Sequence, residues 1–239
     1  MRLPDFLGIG TQKGGTTSLH ALMAQDERIG MPKRKELHYF DQDEPEDIQA
    51  YAREFEGVSE KELIGEITPY YMFHPKAAQR IKQTIPNVKI IALLRNPVER
   101  TISQYFHATR RGYENLELEA ALRDEKKRLL SGGKFSHQKH SYIQRSIYEK
   151  QLAEYEKRFP VNQILVLKSE DLFEDTQATW TIIQEFLGIK PLFNCSKLPR
   201  MNSGKGEEKN VKQETRSKLR KLLNPTFVAV EERYGIKWD

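Results

Sequence analysis

The chain contains one cysteine, Cys195, in 239 residues. That excludes an intrachain disulfide and any cluster of thiolates around a metal. It also lacks a long apolar run: no stretch approaches the ~18 residues of a membrane-spanning helix, and no signal-like apolar segment follows Met1. These absences lead to the expectation of a soluble, cytoplasmic protein. No cluster of metal-ligating side chains is evident, so no metal is expected. Internal repeats, low-complexity tracts and linkers are missing too, and residues 1–239 read as one domain with enough chain for a sizeable core. What is present in excess is positive charge, a formal +5 with a pI of about 9.1, which favours an anionic partner. Nucleic acid, a phosphorylated cofactor and a merely solvated basic surface all satisfy that excess. The lysines are scattered rather than striped and no nucleic-acid motif occurs, so a nucleic-acid partner is not expected.

Buried strands alternate with helical patterns along the chain. Strands are expected at Phe6–Gly10, Leu63–Ile67, Lys89–Leu94 and Gln163–Lys168. Helices are expected at Thr16–Gln25, Ile48–Phe55, Pro75–Thr84, Val98–Thr109, within 114–130, at Tyr142–Phe159, at Thr176–Leu187 before Gly188, and at Glu214–Leu223 and Pro225–Tyr234. Residues 30–40 read as irregular, Ser131–His140 as a mobile loop and 194–212 as a lysine-rich loop. The alternation implies an α/β class with a central, mostly parallel sheet flanked by helices, whose ligands bind at the carboxyl ends of strands.

Two segments carry phosphate-site chemistry at such strand ends. In FLGIGTQKGGTTSLHALM, a strand runs through a turn into a helix. Gly14 and Gly15 let backbone N–H groups approach an anion, Thr16, Thr17 and Ser18 add hydroxyls, and Lys13 adds a point charge. Lys13 precedes the glycine pair, so the segment matches neither the nucleotide triphosphate loop nor the dinucleotide fingerprint. In KIIALLRNPVERTISQYFH, Arg95 follows the strand, Pro97 opens a helix and Ser103 lies about two turns in. A capped helix beside a solvated lysine, and a strand-end surface arginine, are the bland alternatives.

Taken together the segments resemble the sulfotransferases that use 3′-phosphoadenosine 5′-phosphosulfate (PAPS), above all the heparan-sulfate type and its bacterial relatives. The resemblance rests on TQKGGTTSL at 11–19, KELHYFD at 35–41, GEITPYY at 65–71, RNPVERTISQYFH at 95–107, SIYEKQLAEYEKRFP at 146–160 and SGKGE at 203–207. It implies the P-loop-like sulfotransferase fold, with PAPS as co-substrate and adenosine 3′,5′-bisphosphate as product. Lys13 to Ser18 would hold the 5′-phosphosulfate. Arg95, Ser103, Lys205 and Gly206 would bind the 3′-phosphate, a task suited to the arginine fork.

For transfer to a hydroxyl, the resemblance makes Glu36 the base, places His38 near the acceptor and gives Lys13 to the leaving oxygen. A histidine of ordinary pKa could itself serve as base, so Glu36 and His38 both stand. Glu36 could instead pair with Lys33, Arg34 or Lys35 on the surface. One residue departs from the pattern: heparan-type members often carry lysine in a G-E-K-[ST]-P tract, and this chain has Ile67 there. The acceptor stays open among a glycan, a lipid, a polyketide-like intermediate and a small alcohol or phenol, and the oligomeric state is undetermined. The rival classes are a nucleotide-dependent kinase and a non-catalytic anion- or nucleic-acid-binding protein. The missing acidic residue after Leu94 counts against the kinase.

Overall fold

The computed structural model describes residues 2–44, 47–191, 198 and 206–238. The chain is α/β, and the described residues form five strands in the order β2-β3-β1-β4-β5: β1 Phe6–Gly10, β2 Ile29–Gly30, β3 Leu63–Ile67, β4 Lys89–Leu94 and β5 Ile164–Lys168. Every pairing is parallel. The chain divides into two compact units, Met1–Leu94 with Gln151–Met201, and Arg95–Lys150 with Asn202–Asp239.

The first unit holds the whole sheet. Its helices are α1 Thr16–Met23, α2 Ile48–Arg53 and α3 Ala77–Thr84, and later α8 Ser169–Glu174 and α9 Thr176–Leu187. Strand β1 is wholly buried and β4 nearly so, which is why both read as unbroken apolar runs. Phe6, Leu19, Leu22, Ile91, Leu93 and Trp180 lie in one core cluster. Helix α9 stops at Gly188 (φ 86°), where the missing Cβ permits the left-handed turn. Because β1 is central and neighbours β3 on one side and β4 on the other, its carboxyl end is a switch point of the sheet. The parallel arrangement puts the segments that follow β1, β2 and β3 at one edge of the sheet: residues 11–15, 31–41 and 68–73.

The second unit holds α4 Pro97–Arg110, α5 Leu118–Ser131, α6 Gly133–Lys139, α10 Gln213–Leu222 and α11 Asn224–Tyr234, while α7 Tyr148–Glu156 carries the chain across the division. Tyr105, Ala108, Leu118, Ala121 and Tyr142 form a core cluster here. Two expectations are corrected in this unit. The stretch 131–140 is mostly helical, because His140 is buried and bonds to Ser136 Oγ (3.0 Å) and the Tyr113 carbonyl (2.8 Å). The helix expected from Tyr142 begins instead at Tyr148, after a 3-10 turn at Gln144–Ser146. The N–H groups of Tyr142, Ile143 and Gln144 donate to the Glu125 carboxylate at 2.8–2.9 Å, so they are satisfied outside a helix. The short strand β2 and helix α8 had not been expected from the sequence. Part of the lysine-rich loop at 194–212 lies outside the described residues, and its last part forms a 3-10 turn at Glu207–Asn210.

Candidate active site

In the first unit, β1 ends in a turn whose backbone Lys13 (φ 69°) and Gly15 (φ 91°) bend into the left-handed region. Gly15 is the N-cap of α1 and brings no side-chain cap, so no side chain of the cap residue covers the first N–H groups of the helix. Those groups carry the positive end of the helix dipole. Gly14 answers to packing: a Cβ there would lie 2.7 Å from the Leu93 carbonyl and 2.8 Å from the Thr11 methyl. Thr11 N–H donates to that carbonyl, and Ser169 Oγ donates to the Gly14 carbonyl at 2.7 Å. Ser169 is 155 residues away in sequence, which is why no local pattern pointed to it. Thr16 and Ser18 are buried, whereas Thr17 and Lys13 are partly exposed.

The segment after β2 meets this turn. Lys35 Nζ donates to Thr17 Oγ1 at 2.7 Å and to Glu36 Oε1 at 3.2 Å. Glu36 Oε2 lies 3.7 Å from His38 Nε2, and His38 Nδ1 is 2.7 Å from Asp41 Oδ2. Of the surface pairings open to Glu36, the Lys35 contact exists, while Arg34 pairs with Glu54. The backbone at Glu36 (φ 61°) and His38 (φ 57°) is left-handed, which costs on the order of 1–3 kcal/mol per residue and persists only where the surroundings dictate it.

Here the surroundings are a carboxylate and a phenol. Glu66, at the end of β3 and 1% exposed, accepts from Thr68 Oγ1 (2.6 Å), Tyr71 OH (2.8 Å), Tyr51 OH (3.1 Å) and Leu37 N–H (3.4 Å). The Tyr71 hydroxyl in turn accepts from Tyr39 N–H at 2.9 Å. The backbone on either side of His38 is thereby tied to β3 and to the turn that follows it.

These contacts set the protonation states. Burial by itself raises the Glu36 pKa, but the cations His38 and Lys35 outweigh it and the net direction is down. His38 is pushed up to about 9, first by Asp41 and then by Glu36, so it is an imidazolium at neutral pH. Glu66 is raised by burial, partly offset by its donors. His20 on α1 is lowered, by burial and then by the Lys35 charge.

In the second unit, Asn96 caps α4 with its side chain, accepting from Val98 N–H (3.0 Å) and Glu99 N–H (3.3 Å). Arg95, just before it, is partly exposed, and its carbonyl accepts from Tyr148 OH at 2.8 Å. Ser103 is buried in α4 rather than on its solvent face. Arg100 is fully buried; it donates to Ser146 Oγ at 2.5 Å and to the Tyr142 carbonyl, and burial lowers its pKa to about 10. Gly206 (φ 89°) opens the 3-10 turn, and Lys205 lies outside the described residues.

Asp41, Ser169 and the tyrosines around Glu66 are not among the site residues expected from the sequence. Asp41 could have been found, since it stands three residues after His38 inside the KELHYFD tract. Among the described residues, no group of His, Cys, Asp and Glu side chains converges to hold a metal ion. No helix among them is long and apolar enough to cross a membrane.

The sequence profile of the Sulfotransferase domain family matches residues 3–225, and the chain belongs to this family. It is 42% identical over 106 residues to the membrane-associated sulfotransferase kil1 of Dictyostelium discoideum, a match covering 43% of this chain and 22% of that protein. It is 28% identical over 192 residues to human heparan sulfate glucosamine 3-O-sulfotransferase 3B1, covering 79% of this chain and 47% of the relative. The chain thus spans less than half the length of either relative. The crystal structure of a sulfotransferase from Alicyclobacillus acidocaldarius superimposes with a TM-score of 0.85 at 26% identity, covering 100% of this chain and 98% of that one.

Proposed function

We propose that this sulfotransferase takes its sulfuryl group from PAPS and transfers it to a hydroxyl of its acceptor by in-line displacement, releasing adenosine 3′,5′-bisphosphate. The observation that carries this reading is the continuous set of contacts from the turn after β1, through Thr17 and Lys35, to Glu36, His38 and Asp41. Such a set puts an anion cradle and a proton acceptor within one constellation.

In this reading the uncapped start of α1, with Lys13, Gly14, Gly15, Thr16, Thr17 and Ser18, holds the 5′-phosphosulfate. Arg95 and Ser103, with Lys205 and Gly206, serve the 3′-phosphate. The acceptor oxygen forms its bond to sulfur as the bond from sulfur to the bridging phosphate oxygen breaks. The electron pair of the broken bond stays on that phosphate oxygen, where Lys13 stabilises it. The acceptor proton passes to Glu36, which is ionised at neutral pH because its pKa is lowered. His38 already carries its proton there and is a poor base, so its role is to orient Glu36 and to hold charge, with Asp41 holding His38. Residues 1–239 act as one sulfotransferase domain. The acceptor class is a hydroxyl-bearing molecule; the heparan-sulfate relative makes a glycan the first to try.

Calorimetric titration with adenosine 3′,5′-bisphosphate, beside AMP and ATP, tests the donor. Binding of the bisphosphate well above both controls, together with its release from PAPS, is the expected result. Equal or better ATP binding with Mg²⁺-dependent ATP turnover overturns it in favour of a kinase.

A further inference from the structure

We infer that Lys35 is a second catalytic cation of this site, supplying the charge that Ile67 does not. The inference rests on the PAPS reading above. Ile67 supplies no cation to the site in this chain. Ile67 is 1% exposed and lies in the core cluster with Phe6 and Leu19. It also fills the space over Gly8 so closely that a Cβ at Gly8 would meet its Cγ1 at 2.7 Å. The residue that brings an ammonium to the turn after β1 comes from another strand end. Lys35 Nζ bridges Thr17 Oγ1 in the first turn of α1 and Glu36 Oε1, at 2.7 and 3.2 Å.

This bridging position is chemically distinctive. Thr17 and Glu36 take two of the three N–H donors of an ammonium, leaving the third for an oxygen of the transferring group. The Lys35 side chain is 28% exposed, so its charge is less screened than that of a free surface lysine. As Glu36 takes the acceptor proton it loses its negative charge, and the ion pair with Lys35 weakens. At the same moment negative charge grows on the sulfuryl and bridging oxygens. The Lys35 charge is then released to those oxygens when the transition state needs it. Lys35 keeps its own proton throughout; only the acceptor proton moves, to Glu36.

The test uses the full chain and the variants Lys35→Met and Lys35→Arg. Bisphosphate affinity is measured by calorimetry, and PAPS turnover by bisphosphate release, with N-sulfated heparan oligosaccharide and with water alone as acceptor. Lys35→Met is expected to lower turnover by roughly 30- to 100-fold while bisphosphate affinity stays within about threefold, because its effect falls on the transition state. Lys35→Arg, which keeps the charge, is expected to recover turnover to within about tenfold of wild type. Wild-type turnover in Lys35→Met with intact bisphosphate binding overturns the inference alone and leaves Lys35 a surface ion pair with Glu36. A wild-type chain that neither binds the bisphosphate nor consumes PAPS overturns the donor reading and the inference with it.

Discussion

The two helix starts that the sequence singled out are built in opposite ways. Helix α1 begins at Gly15 with no side-chain cap, whereas α4 begins at Asn96, whose side-chain amide oxygen accepts from the N–H groups of Val98 and Glu99. An uncapped start offers backbone donors and a dipole to an anion from outside. A capped start has already spent those donors, so anion binding beside it falls to side chains such as Arg95. The first arrangement suits a group whose charge changes during reaction, because the donors are fixed in advance. The second suits a group that is only held. In the proposed reading, the contrast places the chemistry at the start of α1 and the holding of the 3′-phosphate at the start of α4.

The largest effect should come from the chemical side. Glu36→Gln removes the proposed base and is expected to lower PAPS turnover by about 10²–10⁴-fold, with bisphosphate affinity nearly unchanged. A single-turnover assay of bisphosphate release checks it, and a loss confined to affinity would erase the division of labour. Lys13→Met should lower turnover by about 10²–10³-fold, the loss typical of one preorganised charge donor. On the recognition side, Arg95→Ala should weaken bisphosphate binding by roughly 10- to 100-fold, the size of a charged hydrogen bond, while leaving the weak binding of AMP where it was. Calorimetry with both ligands reads this directly. An equal loss for AMP would mean that Arg95 does not read the 3′-phosphate.

Smaller effects sharpen the same contrast. Asn96→Ala should cost about 1 kcal/mol of stability in denaturant titration yet leave bisphosphate affinity within about twofold. If affinity falls much further, the N–H groups of α4 serve the ligand and the two helix starts are alike after all. A further signal is the pH dependence of stability carried by His38. Its folded pKa of about 9 lies above the ordinary 6.5, so its contribution is fully present below 6.5 and is lost as pH rises through about 9. Replacing His38 with Gln should flatten that part of the stability profile. Activity should lie on a plateau between an acid limb below 4.5, where Glu36 takes up its proton, and an alkaline limb near 9.

The sequence alone determined the elements whose cause is local. Apolar runs bounded by glycine or proline marked four of the five strands, and Pro97 and Gly188 marked one helix start and one helix end. It also singled out Lys13 and Arg95, because glycine, charge and hydroxyl at fixed spacing leave a readable trace, and Glu36 and His38 through the resemblance to the heparan-sulfate type. What those side chains are depends on contacts made across the fold. His38 looks like a neutral candidate base in the sequence; folding places Asp41 and Glu36 against it and keeps it charged. Ser103 reads in the sequence as a 3′-phosphate ligand, and the packing of α4 buries it. The helix expected from Tyr142 gives way because Glu125 and Arg100 claim its first backbone groups from other turns of chain. Ser169 reaches Gly14, Tyr71 reaches Tyr39 N–H, and Lys35 reaches Thr17. In each case the partner is distant in sequence, and a hydrogen bond or ion pair acts over a few ångströms. Composition and spacing carry no record of it until the parallel strands bring their carboxyl ends to one edge.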